Sequence, residues 1–528
     1  MRPLVTTMGD LLLAGADDAP ALTVGAQSAT YGELRAAVDA VAAGLARLGL
    51  ERGARVAVLL DKRLETVVAI FGAARAGLVF VPVNTVLRSK QVRHILADCS
   101  VSVLVTTADR LEGLGELTGL EHVVLVGPAG VGRPDGPALH GWSDLAAAGD
   151  AVREPAPWRV HPAPTDGDVA AIFYTSGSTG RAKGVVLSHR NLVVGAQSVS
   201  TYLENDASDV ILAVLPLSFD AGFSQLTTGF SVGAHVVLVN YLLPGDVVRL
   251  CARHRVTGLT GVPPLWLQLM DQRWPPEATA SMRYVANTGG RMPRPTLGRL
   301  RQTFPAARPF LMYGLTEAFR STFLDPDQVD RRPDSIGTAI PNAEVLVVDQ
   351  DGRACPPGVP GELVHRGPLV ALGYWNDPAR TAERFRPAPG RAQEVCTPEM
   401  AVWSGDRVVR DEEGYLYFVG RDDDMIKTSG YRVSPTEVEE AAYETGLLRD
   451  AVALGLDDER LGQRIVLLVT PAANESSAGP VSGDAVRNAL RASLPLYMVP
   501  TEVRVLDELP RNGNGKFDRV RLREELST

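Results

Sequence analysis

The chain has 528 residues, 53 Lys+Arg against 62 Asp+Glu, and a formal net charge of -9. That acidic balance, with no run of basic residues, argues against a nucleic-acid binder. Hydrophobic content of 45% and charged content of 22% suit a globular protein with a large core, no apolar stretch approaches the roughly 20 residues of a membrane span, and Met1 opens no signal-like pattern. Only five of the 53 basic residues are lysine, namely Lys62, Lys90, Lys183, Lys427 and Lys516, leaving 48 arginines. A bias towards arginine codons accounts for the total. A lysine retained under such a bias flags a place where a compact ammonium is needed. The cysteines Cys99, Cys251, Cys355 and Cys396 show no CxxC or metal-ligand spacing. They read as buried or incidental thiols of a cytoplasmic protein.

In chain order, Glu33 to Leu48 has helical periodicity, Arg55 to Leu60 reads as a short strand, Leu64 to Ala76 as a helix and Val79 to Val83 as a strand. Gly127 to Pro164, rich in Pro, Gly and Ala, reads as a surface loop. Apolar strands at Ala170 to Phe173 and Val185 to Leu187 flank a Gly- and hydroxyl-rich run. The alternation returns at Val210 to Leu215, Phe223 to Phe230, Val236 to Val239, Val247 to His254 and Gly258 to Gly261. Short β-branched runs between longer helical patterns predict an α/β protein with parallel sheets covered by helices. After a strand candidate at Gly414 to Val419 the pattern changes at Gly420 to Asp424, GRDDD. Downstream come a helix at Pro435 to Tyr443, a strand at Ile465 to Thr470, a flexible connection at Pro471 to Gly483 and a helix at Ala485 to Leu494. The expected division is a large domain over 1–420, a hinge over 421–424 and a small domain over 425–528.

The run from Tyr174 to Gly184, YTSGSTGRAKG, places many N–H and O–H donors between two strands and adds the point charge of Lys183. Such a loop can wrap a polyphosphate, although GxxxxGK[ST] is not satisfied. The run resembles the signature of the adenylate-forming superfamily, which holds acyl-CoA synthetases, peptide-synthetase adenylation domains and luciferases. Four further segments resemble that superfamily in the same order: Tyr313 to Glu317 (YGLTE), Trp403 to Asp406 followed by Gly414-Tyr415, Gly420 to Gly430, and Pro510 to Lys516 (PRNGNGK). The resemblance implies a large N-terminal domain with helix-covered sheets and a β-barrel-like part, plus a small mobile α+β C-terminal domain. It implies ATP and Mg²⁺ as cofactors, and a carboxylate activated as an acyl-adenylate and then captured by a thiol.

Roles follow from the resemblance. Lys516 would reach the substrate carboxylate and the α-phosphate, Thr316 would donate to that phosphate, and Glu317 would hold Mg²⁺, a hard cation that prefers oxygen. Thr175, Ser176, Gly177, Ser178, Thr179, Gly180 and Lys183 would cradle the phosphates. Gly289, Gly290 and Arg291 would lie at the adenine, with Tyr313 and Gly314 beside it. Asp406 would accept the ribose hydroxyls, supported by Arg421. Asp423 would be the hinge, and the loop around Gly430 would face the incoming thiol. Lys62 and Lys90 match no motif and read as ordinary surface groups.

For the substrate, Leu217-Ser-Phe219-Asp220-Ala-Gly222 resembles amino-acid-activating domains, in which the Asp meets an ammonium. A helix N-cap is the bland alternative for Asp220, and a salt bridge within the wall is the bland alternative for Arg320. Asp220 and Arg320 together suit a substrate with an ammonium and a second carboxylate, with Phe219, Thr288 and Ser321 as neighbours. The pair resembles the aspartate- and 3-methylaspartate-type β-amino-acid ligases of macrolactam polyketide biosynthesis. YGLTEAFRST also resembles the adenylate-forming ligases found beside exosortase systems. The expected partners are an amino acid and the phosphopantetheine of an acyl carrier protein or CoA, with neither nucleic acid nor membrane. A CoA ligase for a fatty or aryl acid is the alternative.

Overall fold

The computed structural model describes residues 5–128, 136–150, 163–175, 182–390, 394–421, 425–472, 481–510 and 517–527. Among them, two sheets form the large domain. An eight-stranded sheet runs in the order Gly373–Tyr374, Lys183–Ser188, Val169–Thr175, Val79–Pro82, Arg55–Val58, Val101–Thr106, His122–Leu125 and Ala138–Gly141. It is parallel from Val169–Thr175 outward and antiparallel at the Lys183–Ser188 end. The second sheet is parallel through Pro20–Val24, His235–Leu238, Val210–Ala213, Gly258–Gly261, Tyr284–Asn287 and Arg308–Tyr313. It continues as antiparallel strands through Thr322–Leu324, Ser335–Ala339, Leu416–Arg421, Met400–Arg410, Gly361–Arg366 and Glu344–Val348. The expected α/β class therefore holds.

The helices Leu64–Arg75, His189–Tyr202 and Asp220–Val232 fill the main core, buried on nearly every face as their apolar runs require. Phe173 meets Phe223 at 5.5 Å between ring centroids, and Phe80 meets Phe223 at 5.3 Å. Each such pair adds about 0.5–1.5 kcal/mol beyond its buried area. These rings fasten the strand that leads into the Gly/Ser run to the helix that begins at Asp220. Gly222 is required there, because a Cβ would stand 1.9 Å from the Pro216 carbonyl oxygen.

Two expectations fail. Gly127 to Pro164 is not one long loop, since it contains the strand Ala138–Gly141 and the helix Trp142–Asp150. That strand pairs with the edge strand His122–Leu125, and Leu145 packs against the helix Tyr31–Ala46 where Gly44 leaves room. Lys62 is not a surface group. It is 9% exposed, and its Nζ donates to the carbonyls of Ala213 (2.8 Å) and Val239 (3.1 Å). It thus ties the loop after Arg55–Val58 to the strand ends of the other sheet.

The small domain is a five-stranded sheet built from Ile426–Thr428, Tyr431–Val433, Leu448–Asp458, Gly462–Pro471 and Glu502–Val505. The helices Pro435–Glu444 and Gly483–Ser493 cover it, with Val438, Val486 and Leu490 in its own core. The hinge residue Asp423 and most of the connection within Pro471 to Gly483 lie outside the described residues. No helix among the described residues is long and apolar enough to cross a membrane.

Candidate active site

A cavity of about 330 Å³ opens at the carboxyl ends of the parallel strands, where ligands settle in open α/β sheets. Pro82, Thr175, Val214, Val262, Thr288 and Gly314, each at or just past a strand end, line it. The strands Val169–Thr175 and Lys183–Ser188 pair antiparallel with Thr175 opposite Lys183. Residues 176–181 lie outside the described residues, so Ser176, Gly177, Ser178, Thr179 and Gly180 are not placed. Thr175 Oγ1 is buried with no hydrogen-bond partner among the described residues, leaving a hydroxyl donor at the stem of that run.

Thr316, Glu317 and Arg320 reach the cavity from one tight turn. The short 3₁₀ turn Thr316–Ala318 ends at Phe319, whose φ of 57° reverses the chain. A non-glycine residue there costs about 1–3 kcal/mol. Full burial of the Phe319 ring against Gly195 contributes roughly 1.5–3 kcal/mol in return. The reversal turns Arg320 back towards the cavity. Gly314 lets the returning chain pass, since a Cβ there would stand 3.1 Å from Arg320 Cα.

Glu317 Oε1 accepts from Lys183 Nζ at 3.0 Å and from the Tyr374 hydroxyl at 2.6 Å, and Lys183 also meets the Tyr374 hydroxyl at 2.6 Å. Burial alone would raise Glu317. The charges of Lys183 and Arg432 and the Tyr374 hydrogen bond overcome it and hold the carboxyl well below the usual range. An ionised, buried carboxylate fits a hard cation. Its oxygen donors are of the kind that Mg²⁺ takes.

Asp406 lines the same cavity, is 2% exposed, and accepts from the Tyr313 hydroxyl at 2.5 Å. It sits opposite Arg421 in the register of Met400–Arg410 and Leu416–Arg421. Thr288 and Gly289 line the wall, the latter at φ 75°.

Asp220 and Arg320 hold each other, with Arg320 Nη1 3.2 Å from Asp220 Oδ2 and the pair nearly sealed from solvent. The wall salt bridge weighed for Arg320 is thus present. Asp220 is not the N-cap, which is Phe219; it is the first residue of the helix Asp220–Val232. Burial raises the Asp220 carboxyl and Arg320 opposes the rise. Arg320 Nε is buried with no hydrogen-bond partner among the described residues. Phe219 lies on the cavity beside them and edges onto Tyr431 of the small domain.

Other expected residues point elsewhere. Ser321 is fully buried and meets His365 Nδ1 at 3.0 Å, so its hydroxyl is engaged away from the cavity, whose wall it does not join. Arg291 is 72% exposed and pairs with Asp334, and Gly290 is likewise off the cavity wall, its carbonyl accepting from Asn287. Lys516 lies outside the described residues. Tyr374 was not foreseen, because a neutral Gly-Tyr-Trp-Asn run carries no charge pattern. From the small domain, Lys427, Ser429, Gly430, Tyr431, Arg432 and Tyr497 also reach the cavity. Gly430 has φ 80°, and a Cβ there would stand 3.0 Å from Val262 Cγ2.

Residues 13–375 match the AMP-binding enzyme family and residues 437–516 match the AMP-binding enzyme C-terminal domain. The chain belongs to the AMP-binding enzyme family. It is therefore an ATP-dependent, AMP-forming ligase of the adenylate-forming superfamily. This AMP-binding enzyme is 35% identical to an L-proline–[L-prolyl-carrier protein] ligase of Streptomyces coelicolor, over 94% of this chain and 92% of that one. It is 32% identical to a 3-hydroxybenzoate–CoA ligase of an Aromatoleum species, over 98% and 96%. Among solved structures it resembles an o-succinylbenzoate CoA synthetase double mutant of Bacillus subtilis bound with a product analogue. There the identity is 26%, the TM-score 0.80, and the coverage 98% of each chain.

Proposed function

We propose that the protein activates the carboxylate of an aspartate-type or other β-amino acid with ATP and passes it to the phosphopantetheine thiol of an acyl carrier protein, in polyketide or other secondary-metabolite biosynthesis. The buried Asp220–Arg320 pair on the cavity wall carries this reading. A fatty or aryl acid would leave the pair desolvated, with neither charge meeting the substrate. A zwitterion with a second carboxylate can enter between them, its ammonium on Asp220 and its spare carboxylate on Arg320. Such charge-assisted contacts contribute roughly 1.5–3 kcal/mol each. The kinship with a proline–carrier protein ligase supports the amino acid and the carrier.

Bound Mg²⁺, held by Glu317, would neutralise phosphate charge. The Gly/Ser run and Thr316 orient the phosphates, and Asp406 accepts the ribose hydroxyls. Lys516 brings the substrate carboxylate to the α-phosphate. Two anions meet only where fixed positive charge and donors await them. The test is ATP–pyrophosphate exchange over a panel of amino, aryl and fatty acids, with acceptors then compared by intact mass. Strong exchange with fatty acids and none with aspartate analogues would refute the substrate. The kinship with a 3-hydroxybenzoate–CoA ligase favours the second reading, a CoA ligase for an aryl or fatty acid. Transfer to CoA but to no carrier protein would establish it.

A further inference from the structure

Two lysines with no motif of their own draw attention to structure outside the cavity. Lys62 is a buried tie between sheets; Lys90 stands on the helix Ser89–Asp98, whose first turn faces the small domain. There Lys90 Nζ pairs with Glu444 at 2.5 Å, Gln91 Nε2 donates to Glu437 at 3.4 Å, and the helix N-cap Arg88 donates to the carbonyls of Arg491 (3.1 Å) and Leu494 (3.4 Å). Gln91, Glu437 and Tyr497 all lie on the cavity wall, so this joint is continuous with the site.

The other end of the same helix grips both stems of the Gly/Ser run. His94 Nε2 is 3.0 Å from the Ala182 carbonyl, just after the run. The Asp98 carboxylate accepts from the Tyr174 hydroxyl at 2.5 Å, just before it. The Asp98 carbonyl accepts from Trp375 Nε1 (3.1 Å) and Asn376 Nδ2 (2.8 Å), residues that follow Tyr374. Lys90, His94 and Asp98 are spaced i, i+4, i+8 and so form one stripe along a rod about 15 Å long. Val92, Ile95 and Leu96 bury its other face. A helix of about three turns, packed on one face against the core, transmits a shift at one end to the other rather than absorbing it.

We propose that the helix Ser89–Asp98 couples the position of the small domain to the phosphate-binding stems, with Asp98 and His94 as positioning residues for Tyr174 and Ala182. The inference rests on the assignment of the Gly/Ser run to the phosphates of ATP. Neither residue touches the reacting atoms. They set where the stems stand, and the Arg88, Lys90 and Gln91 contacts set when.

The test uses the full-length protein and four variants: Asp98→Asn, Tyr174→Phe, the double variant Lys90→Ala/Gln91→Ala, and the latter combined with Asp98→Asn. MgATP binding is measured by calorimetry, the ATP KM by pyrophosphate exchange, and the Tm by scanning. Loss of one charge-assisted hydrogen bond predicts an ATP KM raised about tenfold in Asp98→Asn and in Tyr174→Phe. The Lys90→Ala/Gln91→Ala change, at the small-domain end, moves the ATP KM by about threefold and adds nothing once Asp98→Asn is present. An unchanged ATP KM in Lys90→Ala/Gln91→Ala would overturn the coupling, as would additive effects. So would a fall in Tm and kcat with KM untouched in Asp98→Asn, which is what a merely structural role gives. Failure of the unaltered protein to bind MgATP would overturn the phosphate-site assignment together with the coupling. Binding by the unaltered protein with unchanged binding and KM in the variants would overturn the coupling alone.

Discussion

Arg320→Leu separates the stability role of the cavity pair from its chemical one. At 3.2 Å and an effective dielectric of about 20, the attraction between Arg320 and Asp220 is roughly 5 kcal/mol. Much of that offsets desolvation, yet removing one partner of a buried pair costs about 3–5 kcal/mol because the other charge stays behind. For a domain of roughly 400 residues the unfolding entropy is about 0.8 kcal/mol/K, so a loss of 3 kcal/mol lowers Tm by about 4 °C. Adding Asp220→Asn should recover most of that loss. The pH dependence has a definite sign. Burial already raises the Asp220 carboxyl, and without Arg320 it rises further. A carboxyl raised in the folded state binds protons that the unfolded chain does not, so stability falls as pH rises through it. The Arg320→Leu deficit should therefore be smaller at pH 5 than at pH 7.5. In pyrophosphate exchange, the same variant should lose use of a dicarboxylic amino acid far more than affinity for ATP. A Tm within about 1 °C of the parent at pH 7.5 with unchanged substrate preference would refute the reasoning.

Lys62→Met addresses the other buried cation. Burial lowers the Lys62 ammonium to about 7. Its folded value thus lies below its unfolded one, and stability rises with pH between the two, by up to about 3 kcal/mol from pH 7 to 9.5. The variant should lose that rise in chemical denaturation; retention of it would assign the effect to another group. Lys516→Ala should abolish adenylation in pyrophosphate exchange while leaving thioester formation from supplied acyl-adenylate largely intact, and equal loss of both would contradict the division of labour between the domains. Gly430→Val places a branched side chain at φ 80° against Val262. Thiol transfer should fall on the order of a hundredfold while pyrophosphate exchange is nearly unchanged, and equal loss of both steps would place Gly430 outside the thiol's path.

The order of motifs and the periodicity of short apolar runs were enough to read the α/β class and the adenylate-forming family, because both are local in the chain. Glu317, Asp406, Asp220 and Arg320 were legible as candidates for the same reason, and all four line the cavity. What they face was not. That Asp220 and Arg320 pair with each other, and that Lys183 and Tyr374 share one oxygen of Glu317, follows from strand ends far apart in sequence converging on one cavity. Ser321 and Arg291 carry motif-adjacent residue types, yet one is buried against His365 and the other pairs at the surface with Asp334. The helix in Gly127 to Pro164 hid behind a loop-like composition, since its stability comes from packing rather than propensity. The two lysines outside the motifs are the sharpest contrast. Composition alone marked them as retained. Only the packing of two sheets made Lys62 a buried tie, and only the approach of the small domain gave Lys90 a partner. A side chain's chemistry is written in the chain, but its desolvation and its partners exist only once distant segments meet.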